Sequence, residues 1–85
     1  MSRLRKTLDQ IVRGSADANV NFNDLRKLLE ALGFREHIRG SHHIFTRGGV
    51  IEIVNLQPKG AKAKAYQVRQ VRQLIVKYNL GENDV

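Results

Sequence analysis

The 85-residue chain has no cysteine, which excludes disulfide bridges, thiolate zinc sites and cysteine nucleophiles. It has no tryptophan, and only two Tyr and three Phe. So few rings argue against a single-stranded RNA platform, which works by stacking bases on aromatic side chains. No run approaches the ~18 apolar residues of a membrane-spanning helix, and the opening Met1-Ser2-Arg3-Leu4-Arg5-Lys6 has no apolar signal core behind it. These absences fit a soluble protein of a reducing cytoplasm, with no attachment to membrane. Acidic residues are in the minority, eight Asp+Glu against fifteen Lys+Arg, for a net charge of +7. A surface of that sign attracts polyanions, and displaced counterions make nucleic-acid binding salt-dependent. An acidic protein partner is drawn by the same field.

What is present suffices for one small domain spanning residues 1–85. A chain of this length hides about 60–65% of its extended surface, and a hydrophobic content of 41% places it among globular chains. Leu4, Leu8, Ile11 and Val12 fall on one stripe of a helix that opens at Ser2 and ends at Gly14-Ser15. The small, polar segment 14–21 then reads as a linker that lets this first helix move. A second helix carries stronger signals: Asn21 as its cap, Asp24 three residues on, and Val20 with Leu25 as a hydrophobic staple. Its stripe is Phe22, Leu25, Leu28, Leu29 and Leu32, and Gly33 is the residue expected just past its end.

From Phe34 the period shortens to two. Phe34 and Ile38 alternate with Arg35, His37 and Arg39, predicting a strand with one apolar and one basic face. Gly40-Ser41 leads into a second strand over about His42 to Arg47, and Gly48-Gly49 supplies positive-φ residues for a two-residue hairpin turn. Val50 to Val54 is the third strand. Residues 57–65, with Pro58, Gly60, Lys59, Lys62 and Lys64, read as a loop. The closing helix runs from about Tyr66 to Tyr78, burying Val68, Val71, Leu74, Ile75 and Tyr78 and leaving Arg69, Arg72, Gln73 and Lys77 outside. Gly81 stops it, and residues 82–85 form a frayed tail. The expected class is α+β. Its core, residues 22–80, has the α-β-β-β-α order of a double-stranded-RNA-binding domain, a three-stranded antiparallel sheet packed by helices. The helix over residues 1–14 is an addition to that core.

Without cysteine, acid–base chemistry near neutrality falls to histidine. His37 lies on the basic side of the first strand. His42 and His43 point to opposite faces of the sheet if the strand has begun at His42. His43 then shares a face with Phe45, the natural core anchor, and His42 faces outward with Ile44 and Thr46. Adjacent histidines in a strand serve packing and hydrogen bonding as readily as chemistry. No carboxylate or third histidine completes a metal-ligand set, because Glu30, Glu36 and Glu52 are scattered. Pro58-Lys59-Gly60-Ala61-Lys62 lacks the glycine and the Lys-Ser/Thr pair of a phosphate-binding loop.

A helix ending in Leu32-Gly33-Phe34, a strand, Gly40-Ser41-His42-His43-Ile44-Phe45, a hairpin and the basic segment Val68-Arg69-Gln70-Val71-Arg72-Gln73-Leu74-Ile75 together resemble the HicA toxins of bacterial toxin–antitoxin pairs. The resemblance runs from about Phe22 to Leu80. It implies a fold like that of double-stranded-RNA-binding domains, ribonuclease activity on mRNA independent of the ribosome, and neutralisation by a HicB-type antitoxin that covers the active site; no cofactor is expected. The family's catalytic histidine directly follows Gly-Ser, which carries over to His42, and His43 holds a position where the family often has histidine or a variable residue. Members typically follow the third strand with Val-Pro-x-His, whereas this chain reads Val54-Asn55-Leu56-Gln57-Pro58. Any role of that histidine is therefore missing or taken by Gln57 or Lys59.

The resulting expectation is a metal-independent endoribonuclease. RNA would lie across Arg35, Arg39, Ser41, Arg47 and the lysines at 59, 62 and 64. His42 would act as general base, with His43 or a loop lysine as general acid. The alternatives are a non-catalytic double-stranded-RNA-binding module and a basic protein-interaction domain, since fold does not fix function.

Overall fold

The computed structural model describes residues 2–81; the tail read as frayed, 82–85, lies outside the described residues. Ser2 opens the first helix, α1 (Arg3–Arg13), its Oγ accepting from the Arg5 N–H at 3.1 Å, and Gly14 closes it in the left-handed conformation at φ 70°. Asn21 caps α2 (Phe22–Ala31), its side chain accepting from the Asp24 N–H at 3.0 Å. Strands β1 (Arg35–Arg39), β2 (His42–Arg47) and β3 (Val50–Leu56) pair antiparallel in the order β1-β2-β3. A short ribbon, β4 (Pro58–Lys59) and β5 (Lys62–Ala63), precedes α3 (Ala65–Lys77). The α-β-β-β-α order and the three-stranded antiparallel sheet are as expected.

One core holds the fold. Leu25, Leu28, Leu29 and Leu32 from α2 and its end meet Val68 and Val71 of α3 over Phe45, Val54 and Leu56 of the sheet, all at most 2% exposed. Helices therefore cover one sheet face, the one carrying Phe45, Val54 and Leu56. Among the described residues no helix covers the opposite face: Ile51 and Ile53 of β3 are 89% and 66% exposed.

Four details differ from the sequence reading. The segment after α1 is fastened rather than loose. A 3-10 turn forms at Asp17–Asn19, and Arg72 of α3 donates to both Asp17 carboxylate oxygens at 3.0 and 3.1 Å and to the Ile11 carbonyl at 3.2 Å. Ile11 itself is fully buried, so α1 is part of the core and Arg72 is not a solvated residue. On α1, Thr7 takes the buried place expected of Val12, which is 47% exposed, because its hydroxyl donates to the Arg3 carbonyl within the helix. The lysine segment is the β4–β5 ribbon rather than a loop, pinned by Ala63 N–H to Val20 O and Phe22 N–H to Ala61 O, both 2.9 Å. Finally, at Gly48-Gly49 only Gly49 adopts positive φ, 85°, and the β2–β3 register slips between Phe45 and Arg47.

Candidate functional site

Strand parity divides the two central histidines. On β2, Phe45 is fully buried and His42 is exposed. His43 lies on the helix-covered side, between its register partners Ile38 and Leu56. Its ring meets Phe22 edge-on with centroids 4.9 Å apart, and its Nδ1 is 2.7 Å from Glu36 Oε2. Glu36 also receives a bidentate pair from Arg26, at 2.7 and 3.0 Å. The Arg26 hydrogen bonds hold the Glu36 carboxyl below the ordinary range, with a smaller contribution from His43 and with burial opposing. The expected apolar face of β1 is therefore interrupted by Glu36, and every residue of that strand is exposed. The reason is position: β1 is an edge strand at the margin of the helical layer.

His42 stands on the uncovered face. Arg39 is its register partner on β1, and Arg39 Nε approaches His37 Nε2 at 3.4 Å. On the other side, Asn55 of β3 brings its Oδ1 to 3.2 Å from His42 Nδ1. A separate hydrogen-bonded chain starts at the cap of α3: Lys64 Nζ donates to Gln57 Oε1 at 3.3 Å, and Gln57 Nε2 donates at 3.2 Å to Oγ of Ser41, the residue before His42. The end of β3 is clamped by Gln67 of α3, which is 3% exposed. Gln67 Oε1 accepts from the Gln57 N–H and its Nε2 donates to the Asn55 carbonyl, each at 3.1 Å.

Of the residues singled out in the sequence, Arg39 stands opposite His42 on the open face, and Ser41, the residue before His42, is joined to Lys64 through Gln57. Arg35 lies on the same face further along β1, opposite Thr46. Arg47 does not join them. It shares parity with Phe45, and its side chain crosses Gly33 at the end of α2, where a Cβ would come to 3.0 Å from Arg47 Nε. A cation there also suits the negative end of the helix dipole. Lys62 binds Asn19 Oδ1 beside the 3-10 turn, and Lys59 is exposed across from it on the ribbon. Among the described residues, no three His, Cys, Asp or Glu side chains stand together as metal ligands.

Sequence reasoning missed Asn55, Gln67 and Glu36 as members of these clusters. Each left a trace: Asn55 is a poor strand former inside the apolar run of β3, Gln67 directly precedes the buried stripe of α3, and Glu36 falls between Phe34 and Ile38.

The outer face thus offers an exposed imidazole held at one ring nitrogen and a guanidinium across from it, and the hydroxyl next to it in the chain is linked through Gln57 to an ammonium. That set can move a proton and bind an anion. Among the described residues, no helix is long and apolar enough to cross a membrane. Residues 22–75, more than half of the chain, match the family model described as the HicA toxin of bacterial toxin-antitoxin. No curated protein and no solved structure matches the chain.

Proposed function

The chain belongs to the HicA toxin family of bacterial toxin–antitoxin systems, and from that premise we propose that it is a metal-independent endoribonuclease acting on mRNA in the cytoplasm. The observation that carries the reading is His42 itself, exposed on the open sheet face with its Nδ1 engaged by Asn55. An imidazole that donates from Nδ1 keeps the Nε2 lone pair free for a proton.

RNA lies across the basic end of this face, with Arg35 and Arg39 on its phosphates. His42 Nε2 takes the proton of a ribose 2′-OH, and the 2′-oxygen attacks the adjacent phosphorus. The 5′-oxygen leaves with a proton from a general acid. The products are a 2′,3′-cyclic phosphate and a 5′-OH. Arg39 and the Ser41 hydroxyl stabilise the charge that gathers on the phosphorane oxygens. The general acid in this reading is Lys64, which is joined through Gln57 to Ser41, the residue before His42. His43 is turned toward Glu36 and Phe22, so in this mechanism it fixes the strand and does not touch RNA. A single placed proton-transfer group contributes on the order of 10²–10⁴ in rate, enough for slow cleavage.

The partner is a HicB-type antitoxin. Exposed Ile51 and Ile53 give the same face an apolar area that RNA phosphates do not use, and an acidic protein covering it would also cover His42. The experiment is cleavage of a generic mRNA in EDTA by the wild type and by His42→Ala. The reading predicts cutting by the wild type only. A metal requirement, or normal cutting by the variant, would overturn it, and duplex binding without cleavage would favour the non-catalytic RNA-binding reading.

A further inference from the structure

His42 is supported from β3 by Asn55, whose backbone is in turn held by Gln67 of α3. We infer that Asn55 is a positioning residue that fixes the His42 ring in the Nδ1–H tautomer, and that Gln67 holds Asn55 in place to do so. The inference deepens the reading of His42 as general base and rests on it for its consequence, though not for its geometry.

Three observations carry it. Asn55 Oδ1, an acceptor, is 3.2 Å from His42 Nδ1. A neutral imidazole has one N–H, so a proton committed to Nδ1 leaves Nε2 with its lone pair free. Second, Asn55 is itself anchored: its carbonyl accepts from Gln67 Nε2 at 3.1 Å, while Gln67 Oε1 takes the Gln57 N–H at 3.1 Å. Third, Gln67 is 3% exposed and belongs to the buried side of α3 beside Val68 and Val71. A glutamine there has its amide desolvated, a cost offset only by full hydrogen bonding. Both its polar atoms are satisfied, and two of its partners are residues 55 and 57. The α3 helix thereby sets the end of β3, and the end of β3 sets the imidazole.

An unassisted neutral histidine divides between two tautomers, mostly with the proton on Nε2. Removing the acceptor should therefore withdraw most of the competent base without altering phosphate binding. The test uses ¹⁵N-labelled full-length protein. Long-range ¹H–¹⁵N spectra of the imidazoles, recorded where the rings are neutral, give the His42 tautomer directly. The wild type should show Nδ1–H, Asn55→Leu should shift to predominantly Nε2–H, and Asn55→Asp, which keeps an acceptor oxygen, should restore Nδ1–H. In parallel, Asn55→Leu should lower kcat for RNA cleavage by about 3- to 10-fold with KM little changed, and Asn55→Asp should recover most of it. Asn55 is exposed, so both variants retain the core. An Nε2–H tautomer in the wild type, or an unchanged tautomer in Asn55→Leu, overturns the inference even if RNA is cut. The expected tautomer series without any cleavage overturns the nuclease reading and leaves the positioning role standing.

Discussion

Truncating Ile11 to alanine tests whether α1 is an integral part of the domain. Ile11 is fully buried in the cluster that also contains Leu25, Leu28 and Leu32. The substitution removes three carbons, worth about 0.8 kcal/mol each on transfer from water, or about 2.4 kcal/mol. A residual cavity of roughly 40–70 Å³ adds about 1–1.7 kcal/mol at ~24 cal/mol per Å³. The expected loss is therefore about 3.4–4.1 kcal/mol, a large part of the ~4–13 kcal/mol available to a domain of this size. At about 4–8 °C per kcal/mol, Tm should fall by roughly 14–33 °C. Val12→Ala, one residue away but 47% exposed, is the control and should change stability by less than about 0.5 kcal/mol. Thermal and urea unfolding followed by circular dichroism read both. Equal, small effects from the two variants would refute the docked first helix and return α1 to the status of a movable appendage.

Acid should weaken the fold in a defined window. Glu52 is lowered to about 2 by hydrogen bonds from Lys77 and Tyr78, and Glu36 and Asp17 are lowered by Arg26 and Arg72. Depressed carboxylates contribute fully above their unfolded values near 4 and lose that contribution as pH falls through their folded values. Urea midpoints should thus fall between about pH 4.5 and 2, and a midpoint rising across that range would contradict these pairings. Glu36→Gln should cost about 1–2 kcal/mol and flatten part of the acid slope, read by the same titration. For RNA binding, Arg39→Ala should reduce the slope of log affinity against log salt by about one, whereas Arg47→Ala, on the helical side, should leave the slope unchanged.

Much of the architecture could be read from local patterns because those patterns are short-range. The α2 stripe, its Asn21 cap and the alternation along β2 each depend on residues within a few positions. Parity on β2 separated His42 from His43 in the sequence, and the same split appears in the fold. What escaped were pairings across long separations. Nothing near Arg72 indicates that Asp17, 55 residues away, will hold it, so a cation off the apolar stripe read as solvated. The lysine segment became a ribbon only because the backbone of residues 20–22 offers it hydrogen bonds. Arg47 counted as a phosphate ligand by charge, yet the bare backbone of Gly33 opens a place for it on the other face. The support of His42 by Asn55 likewise depends on the register between β2 and β3.

The chemistry of the cut ends tests the central claim most directly. If His42 activates the substrate's own 2′-OH as proposed, RNA cleaved by the purified protein in EDTA should carry 2′,3′-cyclic phosphate and 5′-OH termini. Mass spectrometry of a short oligonucleotide, with a 2′-deoxy substitution at the cut site as control, reads this in one experiment. The account predicts cyclic ends and no cleavage at the 2′-deoxy site. Ends of 3′-OH and 5′-phosphate, or undiminished cutting at the 2′-deoxy site, would contradict it.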